Sequence, residues 1–329
     1  MASIKDVAQL ADVSTTTVSR VLSDPGSVRE TLRTRVEEAI SKLSYRPNLA
    51  ARRLRQQRAS LIGLIVSDIR NPFFTDISRA VEDMAYRHGL RLILCNTDED
   101  PAKEASYLQL MADEQASGVI LSPTMETLAR LAPRDQAFPV VLVDRALDAT
   151  AVDMVLLDNA NAARRLAQHL IDAGCRRIVA LAGASSSTAR ERRSGYESAM
   201  QSAGLVPRTL TMRPTVEDGL SAMNGLLVDA PDAVIATNGL LLLGAVHAVQ
   251  AAGLRAPHDI AIAGFDDNAW TALPQIDITV IGQPTYDIGA TAMEMLLARI
   301  ADPTRRPRRV VLEGELIVRG STAWHGPRA

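Results

Sequence analysis

Apolar positions along the first 46 residues recur at helical spacing. Ile4, Val7, Ala8 and Ala11 share one face of a first helix of about two turns, which Ser3 and Asp6 open as a capping box. Asp12-Val13 interrupts it, and Ser14 suits the N-cap of a second helix. Val18, Val21 and Leu22 form that helix's buried stripe, while Thr15, Thr16, Ser19 and Arg20 point away. Ser23-Asp24-Pro25-Gly26 is turn chemistry. A third helix is predicted from about Arg29 to Leu43, with Leu32, Val36, Ala39, Ile40 and Leu43 inward. Three short helices on one small core fit a helix-turn-helix unit, whose second helix reads base edges; a generic three-helix bundle fits the periodicity equally well.

Beyond residue 60 the pattern changes to short, continuous apolar runs alternating with helical stretches: LIGLIV (61–66), RLILCN (91–96), GVILS (118–122), VVLV (140–143), IVALAG (178–183), AVIAT (233–237) and IAIAGF (260–265). Strands of a parallel sheet covered on both faces read this way. Gly89, Gly174 and Gly253 close helices that precede such runs or the turns before them. The alternation recurs in both halves, which predicts two doubly wound lobes rather than one very large sheet. The expected division is 1–46 for the helical head, 47–58 for a linker, 59–159 with 284–309 for a first lobe, and 160–283 with 310–329 for a second.

Charge sharpens this picture. The chain of 329 residues has a net charge of -2, but residues 1–58 carry eleven Lys and Arg against six Asp and Glu, and the remainder is acidic. A basic head on an acidic body predicts a polyanionic partner for the head alone. Arg46, Arg52, Arg53, Arg55 and Arg58 lie in a stretch without an acid, an electrostatic footprint for phosphate. Pro47 suits a helix start, and Asn48 to Arg55 could form about two turns, too short to be stable alone in water. Either the segment folds on nucleic acid or it is a solvated linker.

Ligands of doubly wound sheets gather beyond the carboxyl ends of the strands. Asp68, Asn71, Asp144, Arg145, Asn238, Asp266 and Gln283 follow strands there, and Phe73 and Phe74 add aromatic faces in a chain with 3% aromatics. Carboxylates, amides, planar guanidinium donors and an apolar platform are what a polyhydroxylated ring requires. For any single residue, bracing a loop or capping a helix is the competing role.

The run from Ile4 to Arg55, IKDVAQLADVSTTTVSRVLSDPGSVRETLRTRVEEAISKLSYRPNLAARRLR, resembles the N-terminal signature of the LacI/GalR repressor family. The body resembles that family's effector domain and the periplasmic pentose-binding proteins. SDIRNPFF (67–74), VDRA (143–146), LDNANAA (157–163), RERRSGY (190–196), ATNG (236–239), GFDDNAW (264–270) and GQPTYDIG (282–289) carry the match. The resemblance implies that Thr15, Thr16 and Arg20 read bases and that Ser14, Thr17, Ser19 and Arg29 contact phosphates or cap. In the linker it implies DNA contacts from Asn48, Ala51, Arg52 and Arg55, and a Leu54 that wedges into a minor-groove step. Two such segments side by side require a homodimer on a near-palindromic operator. Asn71, Phe73, Phe74, Asp144, Arg145, Arg192, Asn238, Asp266 and Gln283 map onto sugar-contacting positions. Arg190 and Trp270 are further candidates, with packing the alternative for Trp270. No third pocket aromatic stands around Arg213-Pro214-Thr215, which argues against ribose itself, and the C-terminus lacks the leucine heptads of a tetramerisation tail.

These features predict a regulator of carbohydrate genes controlled by a free monosaccharide or sugar acid. Arg145, Arg190 and Arg192 would also suit a carboxylate or phosphate. Phosphosugar or nucleobase effectors are the alternatives, as is a sugar-binding protein without a regulatory role. Nothing calls for a cofactor: there is no P-loop, GxSxG, HExxH or GxGxxG after a strand, and Ser185-Ser186-Ser187 has no neighbouring histidine. Cys95 and Cys175 form no CxxC or Cys/His cluster, so no disulfide framework or metal site is expected, in keeping with a reducing compartment. The N-terminus has no continuous apolar export signal, and no stretch is long enough to span a bilayer. A cytoplasmic protein that is not an enzyme is the expectation.

Overall fold

The computed structural model describes residues 3–23, 25–43, 45, 61–130, 137–147, 152–184 and 186–323. The chain divides into two compact units, 1–59 and 60–329.

In the first unit α1 (Ile4–Leu10), α2 (Thr15–Ser23) and α3 (Glu30–Lys42) surround one core. Val7, Ala8, Ala11, Val18, Val21, Val36 and Ala39 are buried there, with Ile4, Leu22, Ile40 and Leu43 packed against them. Leu32, expected inward, is only half-buried and borders a surface hollow instead. The capping box forms as the sequence predicts, Asp6 N–H donating to Ser3 Oγ at 3.3 Å and Ser3 N–H to Asp6 Oδ2 at 2.7 Å. Ser14 caps α2 by accepting from Thr17 N–H at 3.0 Å. The α1–α2 turn passes through Asp12 at φ +49°, a left-handed conformation that Asp tolerates better than most residues. Arg35 of α3 donates to Asp12 O and Oδ2, both at 3.1 Å, and fixes that turn to the third helix.

Among the described residues the second unit holds two six-stranded sheets. The first comprises β1 (Leu61–Val66), β2 (Arg91–Asn96), β3 (Gly118–Leu121), β4 (Val140–Val143), β5 (Asp153–Leu157) and β11 (Arg309–Leu312), in the order β11-β5-β4-β3-β1-β2. The second comprises β6 (Ile178–Gly183), β7 (Arg208–Met212), β8 (Ala233–Ala236), β9 (Ala261–Phe265), β10 (Thr279–Gly282) and β12 (Glu315–Ile317), in the order β12-β10-β9-β8-β6-β7. All pairings are parallel except β10 with β12. The seven strands read from the sequence are all present; β5, β7, β10, β11 and β12 are additional. β7, β11 and β12 are edge strands with part-exposed side chains, so they lack the continuous apolar run that marks a covered strand.

Helices cover both faces. α4 (Pro72–Arg87) and α11 (Thr285–Ala301) pack on one face of the first sheet, and α5 (Pro101–Asp113) and α6 (Met125–Arg130) supply the other. In the second lobe α7 (Asn159–Asp172) pairs with α8 (Ser187–Ser202) on one face and α9 (Val216–Leu227) with α10 (Gly239–Ala251) on the other. The chain crosses between lobes after β5, β10 and β11. The boundary expected at 309/310 therefore needs correcting: β11 pairs with β5 from Arg309 to Leu312, and the return to the second sheet comes only before Glu315. An edge strand with alternating exposure carries no mark of which sheet it joins.

The paired helices of the second lobe approach through glycine. A Cβ on Gly195 would lie 2.0 Å from the Ala160 carbonyl oxygen, and one on Gly244 would lie 2.2 Å from that of Val216. Alanine is the better helix former by about 1 kcal/mol, but at Gly195 it meets backbone that cannot rotate away. Gly195→Ala is expected to lower stability by a net ~1–3 kcal/mol, read as a lower denaturant midpoint with unchanged slope; an unchanged midpoint would show that α7 and α8 separate freely.

Candidate functional site

In the head, Thr16 and Arg20 are exposed on α2, Thr15, Thr17 and Ser19 are half-buried, and Ser14 is exposed at its start. Thr16, Thr17, Arg20 and Arg29 border one hollow of the head's surface, with Leu32 and Val28 as its apolar floor. Cationic and hydroxyl groups thus share one face, while the stripe Val18, Val21 and Leu22 faces the core. Asn48, Ala51, Arg52, Leu54 and Arg55 lie outside the described residues, as do Arg46, Arg53 and Arg58.

In the body, a cleft with about 600 Å³ of empty space, counted out to its mouth, lies between the carboxyl ends of the two sheets. Ten of the twelve expected residues line it: Asp68, Asn71, Phe73, Phe74, Asp144, Arg145, Arg192, Asn238, Asp266 and Gln283. Arg190 does not; it sits two residues before Arg192 on α8, about 200° around the helix axis, and is exposed. Trp270 does not either. It packs half-buried against the α9/α10 face of the second sheet, the packing role that was its alternative.

Strand ends and helix starts position these groups. Asn71 caps α4 by accepting from Phe73 N–H at 3.2 Å, which directs Phe73 and Phe74 inward as an edge-to-face pair with centroids 4.9 Å apart. Asn238 caps α10 by accepting from Leu240 and Leu241 N–H at 2.9 and 3.3 Å. Both asparagines therefore combine the capping role with a place in the cleft wall. Asp144 and Asp266 follow β4 and β9, which occupy the same place in their sheets, and both are left-handed, at φ +68° and +77°. For a non-glycine residue that conformation costs roughly 1–3 kcal/mol and is characteristic of functional sites. Asp266 accepts from Gly239 N–H at 2.8 Å and from Gln283 Nε2 at 2.5 Å. A Cβ on Gly239 would fall 2.8 Å from Asp266 Oδ2, so this approach requires glycine.

Asp144 accepts from Arg145 Nε at 3.1 Å, and the Thr188 hydroxyl of the other lobe donates to its carbonyl oxygen at 3.0 Å. Burial pushes the Asp144 carboxyl above its ordinary pKa, against the pull of Arg145 and Arg192. Burial works against the Arg145 cation too, but Glu99 and Asp144 outweigh it and raise its pKa. Arg192 is buried without an ion pair. Its Nε donates to Asn159 Oδ1 at 2.8 Å, its Nη1 donates to the Thr237 carbonyl at 2.7 Å, and its guanidinium lies 4.0 Å over the Phe265 ring. Burial lowers its pKa, opposed by the charges of Asp266 and Asp144.

Ser67, Glu99, Ser186, Thr188, Pro214 and Thr237 also line the cleft and were not anticipated. Ser67, Ser186 and Thr237 immediately follow strands or cap helices, the rule that found the others, but hydroxyl residues are too common there to stand out. Among the described residues, four buried side-chain polar atoms lack a hydrogen-bond partner. Three of them, Ser67 Oγ, Thr237 Oγ1 and Gln283 Oε1, belong to this cleft. An unpaired buried polar group costs about 1–3 kcal/mol, so their clustering here points to a polar ligand. Among the described residues no group of His, Cys, Asp and Glu could hold a metal ion, and no helix is long and apolar enough to cross a membrane.

Comparison with known proteins gives the same two units. Residues 3–48 match the bacterial regulatory proteins of the lacI family. Residues 59–318 match the periplasmic binding proteins and sugar binding domain of LacI family. The chain is 34% identical to the HTH-type transcriptional repressor PurR of Aliivibrio fischeri (strain ATCC 700601 / ES114), over 98% of this chain and 99% of that protein. It is 33% identical to the ribose operon repressor of Halalkalibacterium halodurans, over 98% and 97%. Among solved structures, the lac repressor dimer bound to operator and the anti-inducer ONPF superposes with a TM-score of 0.85 at 25% identity, covering 98% of this chain and 99% of that one. With a helix-turn-helix unit, a two-lobed unit that holds a cleft and similarity along nearly its whole length, the chain belongs to the LacI family of bacterial transcription regulators.

Proposed function

We propose that this protein is a cytoplasmic, homodimeric repressor of carbohydrate genes that binds a near-palindromic operator and changes its affinity for it when a small carbohydrate occupies the cleft. The observation that carries this reading is the clustering of three unpartnered buried polar atoms between two lobes joined by three strand crossings. On this reading Thr15, Thr16 and Arg20 contact bases, and Ser14, Thr17, Ser19 and Arg29 contact phosphates. The basic 46–58 segment, through Asn48, Ala51, Arg52, Leu54 and Arg55, orders against the minor groove. Asp68, Asn71, Asp144, Arg192, Asn238, Asp266 and Gln283 hydrogen-bond the ligand, and Phe73 and Phe74 supply its apolar contact. Arg145 and Glu99 hold the first lobe's wall.

Ligand bridging the two strand-end surfaces favours one relative orientation of the lobes. In a dimer joined along both lobes, that orientation sets the spacing of the two linker segments. Operator affinity then changes without contact between ligand and DNA, and operator changes ligand affinity by the same factor. A titration of labelled duplexes tests this. Salt-dependent preference for dyad-symmetric over random duplexes is expected, altered at least fivefold by a monosaccharide that is recovered unconverted. Equal binding to both duplexes with every sugar would overturn the reading.

A further inference from the structure

We infer that the cleft selects an uncharged, hydroxyl-rich ring over sugar acids and sugar phosphates, with Glu99 as the residue that sets this preference; the inference rests on the effector reading of the cleft. Three arginines in the sequence invite an anion, but the structure disposes of two. Arg190 points away from the cleft. Arg145 gives Nη1 and Nη2 to the two carboxylate oxygens of Glu99 at 2.7 and 2.5 Å and Nε to Asp144 at 3.1 Å. An incoming carboxylate or phosphate would have to displace a bidentate carboxylate already in place. Arg192 keeps the larger share of uncommitted donors, both N–H groups of Nη2 and one of Nη1, since Nε serves Asn159 and Nη1 serves Thr237.

Around these two guanidinium groups stand four carboxylates, Asp68, Glu99, Asp144 and Asp266, of which Asp68 is itself held by Arg70 Nε and Nη2 at 2.9 and 3.0 Å. With Arg70 counted beside Arg145 and Arg192, four acids face three cations. The hydrogen-bonding inventory agrees with the charge. Asp68, Asp266 and the unpartnered Gln283 Oε1 only accept, and the free hydroxyls of Ser67 and Thr237 do either. A sugar hydroxyl donates to such a wall, whereas a carboxylate or phosphate oxygen has nothing to donate.

Glu99 reaches the cleft from the turn after β2, where Asp98 and Glu99 are both left-handed, at φ +52° and +61°. Two successive left-handed non-glycine residues are costly. The turn is held there by Glu99 N–H donating to Ser67 O at 3.3 Å and by Lys103 Nζ donating to Asp98 at 2.6 Å. The backbone thus bears strain to present this carboxylate to Arg145.

The test is calorimetric titration of the full-length protein with matched sets: D-glucose, D-gluconate and D-glucose 6-phosphate, and the corresponding sugar, aldonate and phosphate of D-galactose and D-ribose. Wild type is expected to bind at least one neutral member ten times or more tightly than its anionic counterparts. Glu99→Gln, which removes the bidentate carboxylate from Arg145 at a part-exposed position and leaves its Asp144 contact, should shift that ratio toward the anion at least tenfold. Asp68→Asn, after the neighbouring strand of the same lobe, should shift it in the same direction by less. A wild-type preference for an acid or phosphate, or ratios unmoved by Glu99→Gln, overturns the inference and leaves the effector cleft standing. Failure of all compounds to bind either protein overturns the cleft reading and this inference with it.

Discussion

Arg192→Met is expected to abolish the effector's influence on operator binding while leaving operator affinity and the fold intact. The substitution keeps an unbranched, space-filling side chain over the Phe265 ring and removes a cation whose burial already lowers its pKa. Two acceptors, Asn159 Oδ1 and the Thr237 carbonyl, lose their donor, at about 1–3 kcal/mol each. Against this, the desolvation cost of burying the cation, about several kcal/mol per ion, is removed. The opposing contributions are of similar size, so a melting temperature within a few degrees of wild type is expected. The ligand has no such compensation: a charge-assisted hydrogen bond from Nη2 contributes roughly 1.5–3 kcal/mol, a weakening of about ten- to more than a hundredfold for each bond lost. Operator titration with and without effector reads the outcome, and a variant that still responds at wild-type effector concentrations removes Arg192 from the binding site.

The second large effect is expected in the head. Arg20→Ala should cost ~1–3 kcal/mol of discrimination between operator and random duplex, because one well-placed guanidinium on a base edge carries about that much specificity. Binding to random DNA should change little. Arg29→Ala provides the contrast: a phosphate contact weakens both duplexes together and reduces the steepness of the salt dependence. Thr16 and Arg20 are exposed one turn apart on α2, and Arg29 borders the same hollow from the start of α3. Competition binding against a set of operator variants separates the two behaviours. Unchanged base preference in Arg20→Ala would rule out its role as a base reader.

Much of this molecule is local and therefore legible in the residues alone. The capping box at Ser3 and Asp6, the cap at Ser14 and the stripe Val18, Val21 and Leu22 depend on contacts within about one turn, and they form as read. The covered strands announce themselves by continuous apolar runs because helices exclude water from both faces. Once those strands are placed, the carboxyl-end rule locates seven polar residues of the cleft, with Phe73 and Phe74 beside them, whereas Arg192, inside a helix, follows only from the family resemblance.

The remaining features were decided in three dimensions. The Glu99–Arg145 pair joins residues 46 apart, and Thr188 reaches Asp144 across 44 and from the other lobe. No local pattern encodes such partners, because chain separation does not limit which side chains meet once two sheets face each other. Arg190 and Arg192 are equivalent as letters, but a two-residue step around a helix sends one to solvent and the other into the cleft wall. Sequence alone placed the walls of the cleft through burial and local hydrogen bonding. Which of its charges remain available to a ligand was settled only by long-range packing, since a charge is consumed by its nearest partner in space, not along the chain.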